Sequence, residues 1–163
     1  MEERQRREEG RRKQKERARE RDHERERWDA EVEASLRRGT KRREERGWSE
    51  IWRRYSEGWE DLEKGHGNER DIRWPTRSGR FQDGDEAEVE KFFGETTRLH
   101  SEMSTVLKRE RVRWHPDKMG QRLGRVEDGK ETQREHLIRN VTAVFQVVDR
   151  LWNTSSGSTD RKS

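Results

Sequence analysis

The stretch RVRWHPDKMG, residues 111–120, decides how this chain folds. Upstream of it, Leu99, Met103, Val106, Leu107 and Trp114 keep a helical spacing, which predicts a helix over about 95–113. Pro116 ends that helix, because its ring cannot continue the turn and it biases His115 toward extended backbone. Downstream, Leu137, Val141, Val144, Phe145, Val148, Leu151 and Trp152 form the strongest apolar stripe in the sequence, on a helix over about 130–152. Residues 115–130, with three glycines, read as the loop between the two. The expected core of the domain is an antiparallel helical hairpin. Val106, Leu107 and Phe145 are expected at its central contact, with Trp114 and Trp152 too far apart to touch.

Working outward, DGDEAEVEKFFG (83–94) reads as a short helix. Asp83 or Asp85 caps it, acidic residues fill its first turn, Val89, Phe92 and Phe93 form its apolar face, and Gly94 closes it. Residues 65–84 read as a linker in which Pro75 holds Trp74 extended. Before it, Trp48, Ile51, Trp52, Tyr55, Trp59 and Leu62 share one helical face, so 47–64 is an aromatic amphipathic helix stopped by Gly65-His66-Gly67-Asn68. That stripe is expected to pack on the C-terminal helices. Trp28, Val32 and Leu36 form a shorter stripe that Gly39-Thr40 interrupts. Residues 1–27 carry only Met1 and Ala18 as apolar side chains. The organisation is thus a charged helical or disordered arm (1–46), the aromatic helix (47–64), the linker (65–84), a helical domain (85–153) and a disordered tail (154–163).

Composition agrees with this division. Charged residues are 47% of the 163 and hydrophobic residues only 24%, too few for one core spanning the chain. Forty basic residues face 36 acidic ones, so the net charge is only +4 and the mixed signs support exposed helix through i,i+4 pairs. With no cysteine, disulfides and thiolate metal sites are excluded, which suits the cytosol or nucleus. No apolar run approaches a membrane span or a signal-peptide core, so a soluble intracellular protein without membrane contact is expected. The seven tryptophans need burial in a core or a partner.

His115-Pro116-Asp117 following a basic helix resembles the centre of a J-domain, whose His-Pro-Asp tripeptide contacts Hsp70. Lys108, Arg109, Arg111, Arg113, Lys118, Arg122 and Arg125 outnumber Glu110 and Asp117 by five, more than the whole chain's excess. Such a patch suits an acidic protein surface or a phosphate backbone. A closer likeness lies in YSEGWEDL (55–62), IRWPTRSGR (72–80), VEKFF (89–93), RVRWHPDKMGQRLG (111–124) and VTAVFQVVDRLW (141–152). In order and spacing, from Trp48 to Trp152, these resemble the C-terminal region of the NF-kappa-B-inhibitor-like (IκB-like) protein family. No period of about 33 residues is present, so the likeness is to a short form without ankyrin repeats.

The resemblance implies a J-domain-like module in a non-enzymatic nuclear protein, connected with NF-kappa-B signalling or pre-mRNA processing. Its partners would be proteins of a nuclear assembly, met through His115, Pro116 and Asp117. Two alternatives stay open: an Hsp70 co-chaperone, in the cytoplasm or nucleus, and an accessory protein that binds RNA through the arm and the 108–125 patch. A further possibility is that the tripeptide only stops a helix, with Asp117 bonding local backbone. His23, His66, His100, His115 and His136 lack metal-ligand spacing, and no nucleophile or phosphate-binding glycine loop accompanies His115 and Asp117. Neither cofactor nor metal is expected.

Overall fold

The computed structural model describes residues 1–66, 68–82, 84–100, 102–124 and 129–157. It is all-α among these residues: α1 (Glu2–Glu63), α2 (Glu86–His100), α3 (Met103–Arg113), α4 (Pro116–Arg122) and α5 (Glu131–Gly157), with one 3₁₀ turn at Glu69–Asp71. The contacts separate two units, residues 1–44 and 45–163.

In the first unit no residue is buried. Its helix is supported by exposed pairs one turn apart, such as Arg7–Glu3 at 2.9 Å and Lys13–Glu9 at 3.4 Å. Trp28, Val32 and Leu36 stay exposed. Gly39-Thr40 does not interrupt the helix. A helical glycine costs about 1 kcal/mol relative to alanine, which strong helix formers on both sides outweigh.

The second unit holds the core. The aromatic stripe of α1 packs as expected: Trp48, Tyr55, Trp59 and Leu62 are buried with Phe92, Phe93, Val106, Leu107, Trp114, Val141, Val144 and Val148. Tyr55 meets Phe92 edge-on at 5.0 Å, and Trp59 meets Trp114 edge-on at 5.0 Å. The helix stops where the glycine-rich stretch begins, with Gly65 at φ 82.

Residues 65–84 are not a simple linker. Ile72, Pro75, Thr76 and Phe81 are buried, and Trp74 stacks on Phe81 at 5.3 Å and lies 5.1 Å from Trp114. A tight turn fixes this strap: Trp74 N–H donates to Gly79 O, Thr76 Oγ1 donates to Arg80 O, and Gly79 sits at φ 71. The tryptophan is presented to the core. The strap also explains Gly58, in the middle of α1. A Cβ there would lie 2.4 Å from Arg73 Cγ, so at any other residue the Arg73 side chain or the strap would have to shift.

The helix boundaries differ from expectation at four places. Gly94 lies inside α2 rather than closing it, because the buried face runs on from Val89, Phe92 and Phe93 to Thr96 and Thr97. Both threonines become compatible with burial by donating to Phe92 O and Phe93 O. The single helix expected over 95–113 is therefore two, broken between His100 and Met103 where Glu102 is extended at ψ 130. Residues 116–122 are helical rather than loop, with Pro116 at the first position, where its missing N–H costs nothing. Lastly, α5 runs past Asn153 to Gly157, its last turns aided by Thr154 and Ser155 hydroxyls on Arg150 O and Trp152 O. The remaining tail, 158–163, and Asp83 as a cap lie outside the described residues. Asp85 takes the capping place, its carbonyl accepting from Val89 N–H.

The α3 and α5 helices run antiparallel, since Arg111 pairs with Asp149 at 2.7 Å and His115 meets Phe145 at 5.2 Å. Phe145 therefore sits beside His115, while Val106 and Leu107 are buried in one core with Val141, Val144, Val147 and Val148. Trp114 packs on Trp59 and Trp74, whereas Trp152 lies by the Arg111 guanidinium.

Candidate interaction site at the α3–α4 turn

Trp114 closes α3 with φ −90 and ψ 3, donating its N–H to Glu110 O. The chain then turns at His115, extended at φ −59 and ψ 127, and enters α4 through Pro116. The His115 ring has two engagements. Its Nδ1 accepts from Asp117 N–H at 3.3 Å, capping α4, and the ring makes a T-shaped contact with Phe145 at 5.2 Å and 73°. Among the described residues the local bond thus runs from the Asp117 backbone to the His115 side chain, not from the Asp117 carboxylate to backbone. That carboxylate faces solvent 4.0 Å from His115 Nδ1, with its side chain 85% exposed and that of His115 46% exposed. An exposed acid and a half-exposed imidazole are presented side by side on a turn whose backbone is fixed at both ends.

The fixing is done from beneath. Glu110 has no exposure at all and accepts three kinds of hydrogen bond: from Tyr55 Oη, from Arg113 Nη1 at 2.6 Å and from Arg109 Nε at 3.4 Å. Trp114 Nε1 donates to Tyr55 Oη at 3.0 Å, and Arg113 Nε donates to Glu63 at 3.0 Å. Residues 55 and 63 of α1 thereby hold residues 110, 113 and 114, immediately before the turn. Burial pushes Glu110 above the ordinary carboxylate value, and this outweighs the pull of Arg113, the Tyr55 bond and Arg109. Burial first, and then the Glu110 charge, push Tyr55 well above the ordinary phenol value. Burial also works against the Arg113 charge, but Glu110, Tyr55 and Glu63 prevail and raise it. In the sequence Glu110 stands only as an acid among bases. Its position, four residues from both Val106 and Trp114, was the available signal that it lies on the buried face.

The basic residues do not form one patch. Arg113 is inside, its side chain 8% exposed and its guanidinium 5.0 Å from the Trp59 ring. Arg111 is half-buried and committed to Asp149, with Nε lacking a partner among the described residues. Arg109 lies over Trp52 at 5.9 Å and Arg122 over Trp59 at 5.3 Å. Lys108 and Lys118 are exposed, and Arg125 lies outside the described residues. The structure brings His115, Pro116, Asp117 and Lys118 together at the turn and draws Arg111 and Arg113 away into internal pairs. Among the described residues no cluster of histidine and acidic side chains could hold a metal, and no helix is long and apolar enough to cross a membrane.

With this geometry in view, residues 90–156 match the family model described as the NF-kappa-B inhibitor-like protein 1 C-terminal domain. The likeness read from the sequence to that family's C-terminal region therefore holds for this segment, which contains the turn, Glu110 and α3 to α5. Tyr55, Trp59 and the strap fall outside it. No curated protein and no solved structure matches the chain.

Proposed function

We propose that this chain, similar over residues 90–156 to the NF-kappa-B inhibitor-like C-terminal domain, is a non-enzymatic interaction protein of a nuclear assembly concerned with pre-mRNA processing. Its contact loop is His115-Pro116-Asp117. The observation that carries the loop assignment is the contrast between its exposed side chains and its buried support. Asp117 and His115 face solvent, while the residue before them, Trp114, is wholly buried and bonded to Tyr55. Rigid presentation of a few polar groups favours recognition, because little conformational freedom is lost on binding. The nuclear, RNA-processing part rests on the family likeness and the Arg- and Glu-rich first unit. Affinity purification of the tagged chain from nuclear extract tests it. RNA-processing components should co-purify with the wild type and be depleted with His115→Gln and with Asp117→Asn. Their absence from the wild-type eluate would count decisively against this reading.

A second reading is an Hsp70 co-chaperone with a J-domain-like module. It is favoured by the antiparallel α3 and α5 with His115-Pro116-Asp117 between them. Stimulation of Hsp70 ATPase by the wild type, lost in His115→Gln, would support it; no stimulation removes it. Direct RNA binding through residues 108–125 is less favoured, because Arg111 and Arg113 already pair with Asp149, Glu110 and Glu63.

A further inference from the structure

The sequence Arg-Arg-x-Ser/Thr occurs twice, as Arg37-Arg38-Gly39-Thr40 and as Arg53-Arg54-Tyr55-Ser56. Two arginines ahead of a hydroxyl are what arginine-directed Ser/Thr kinases read, since carboxylates in their substrate grooves bind guanidinium groups through paired hydrogen bonds. By sequence the two copies are equivalent. The structure separates them.

A kinase takes its substrate as extended backbone, so either copy must first leave its helix. At Ser56 that opening is costly. Its neighbours Tyr55 and Trp59 are in the core, Tyr55 holds Glu110 and Trp114, and Gly58 seats the strap at Arg73. Arg53 and Arg54 are in addition bonded to Glu50 and Glu57, at 2.6 to 2.9 Å. At Thr40 the opposite holds. Residues 1–44 contain no buried side chain, so local unwinding there breaks no packing. Gly39 lies beside Thr40 and weakens the helix where it has to open. Arg37, Arg38 and Thr40 are all exposed, and the Thr40 hydroxyl donates to Leu36 O at 3.1 Å, a bond that unwinding releases.

We propose that Thr40 is a phosphorylation site for an arginine-directed Ser/Thr kinase, and that Ser56, with the same motif, is shielded by the fold. In the reaction Thr40 Oγ1 bonds to the γ-phosphorus of ATP and the bond from that phosphorus to the β,γ-bridging oxygen breaks. ADP leaves, and the hydroxyl proton passes to the kinase's catalytic base. The product places about −1.5 to −2 charges one helical turn from Arg37 and Arg43, and it replaces a hydroxyl that had bonded the helix's own backbone. This inference does not depend on the proposed role of the His115 turn.

The test uses the full chain with an arginine-directed kinase and ATP, with phosphopeptide mapping by mass spectrometry over time. Synthetic peptides covering 34–46 and 50–62 serve as unstructured controls. In the folded chain Thr40 should be modified at least roughly ten-fold faster than Ser56, whereas the two peptides should react at similar rates. Arg37→Ala with Arg38→Ala should abolish labelling at Thr40. Gly39→Ala should slow it about five-fold, as expected if helix opening limits access. The proposal is overturned if Ser56 reacts as fast as Thr40 in the folded chain, if Thr40 stays unmodified, or if neither substitution changes its rate.

Discussion

The Tyr55 hydroxyl donates to the Glu110 carboxylate inside the core, joining α1 to α3 across 55 residues of sequence. The same oxygen accepts from Trp114 Nε1. Tyr55→Phe removes both bonds while keeping the ring's packing against Phe92 and Trp59. It leaves a buried indole N–H and a buried carboxylate each short of a partner. The expected cost is about 2–4 kcal/mol of unfolding free energy, well above the ~1 kcal/mol of an average hydrogen bond. Urea unfolding followed by circular dichroism checks this, and a loss under 1 kcal/mol would show that the network carries little.

The Glu110 shift gives a pH dependence with a definite sign. Its pKa is raised on folding, so its contribution is fully present below the ordinary value of 4.5 and is lost as pH rises through the folded value. Glu50 acts in the opposite sense. Hydrogen bonds from Arg53 and Arg54 lower it to about 2, so its contribution is present above 4.5 and is lost as pH falls toward 2. Glu110→Gln should therefore flatten the decline in stability above pH 4.5 and leave the acid limb unchanged. A pH series of denaturation midpoints for wild type and variant decides the matter. Parallel curves would mean that Glu110 does not titrate across that range.

Two glycines in helices should respond oppositely to alanine. At Gly94 a Cβ meets nothing within 4 Å, so Gly94→Ala gains helix propensity and should stabilise by about 0.5–1 kcal/mol. At Gly58 the same gain is offset by the 2.4 Å approach to Arg73 Cγ, and overpacking of this kind costs about 1–3 kcal/mol. Gly58→Ala should come out destabilised and should loosen the strap, seen as faster amide exchange over 72–81. Stabilisation by both would contradict the seating of the strap.

Arginines that look alike in sequence should differ in effect. Arg113→Ala leaves Glu110 buried without its closest cation and should cost about 3–5 kcal/mol. Lys108→Ala and Lys118→Ala, both exposed, should stay within about 0.5 kcal/mol. Thermal melts of the three variants separate these outcomes, and equal effects would return Arg113 to the surface.

Periodic features were legible in the sequence. The aromatic face of 47–64, the stop at Pro116, the α5 stripe and the all-α class follow from spacing alone, because burial on a helix repeats every three to four residues. What spacing cannot carry was missed. Ile72, Trp74, Pro75 and Phe81 bury themselves from an irregular strap with no repeat, so a core segment read as linker. Gly94 reads as the end of the short helix, although back-bonding lets Thr96 and Thr97 extend the buried face beyond it. At the turn, the tripeptide was found by its letters, but the partition of its basic flanks into buried and exposed depended on partners, Asp149 and Glu63, that lie far away in sequence.

The tryptophans have an optical consequence. Trp59 and Trp114 sit with ring centroids 5.0 Å apart at 72°, close enough for their excited states to couple, and Trp74 adjoins the pair. Trp28 is 66% exposed and belongs to the other unit. Trp28 is the one tryptophan of the seven in the first unit, so the emission lost in Trp28→Phe reports that unit, while the near-ultraviolet dichroism of the Trp59, Trp74 and Trp114 group reports the seat of the His115 turn. Binding at either end can be followed without an added label.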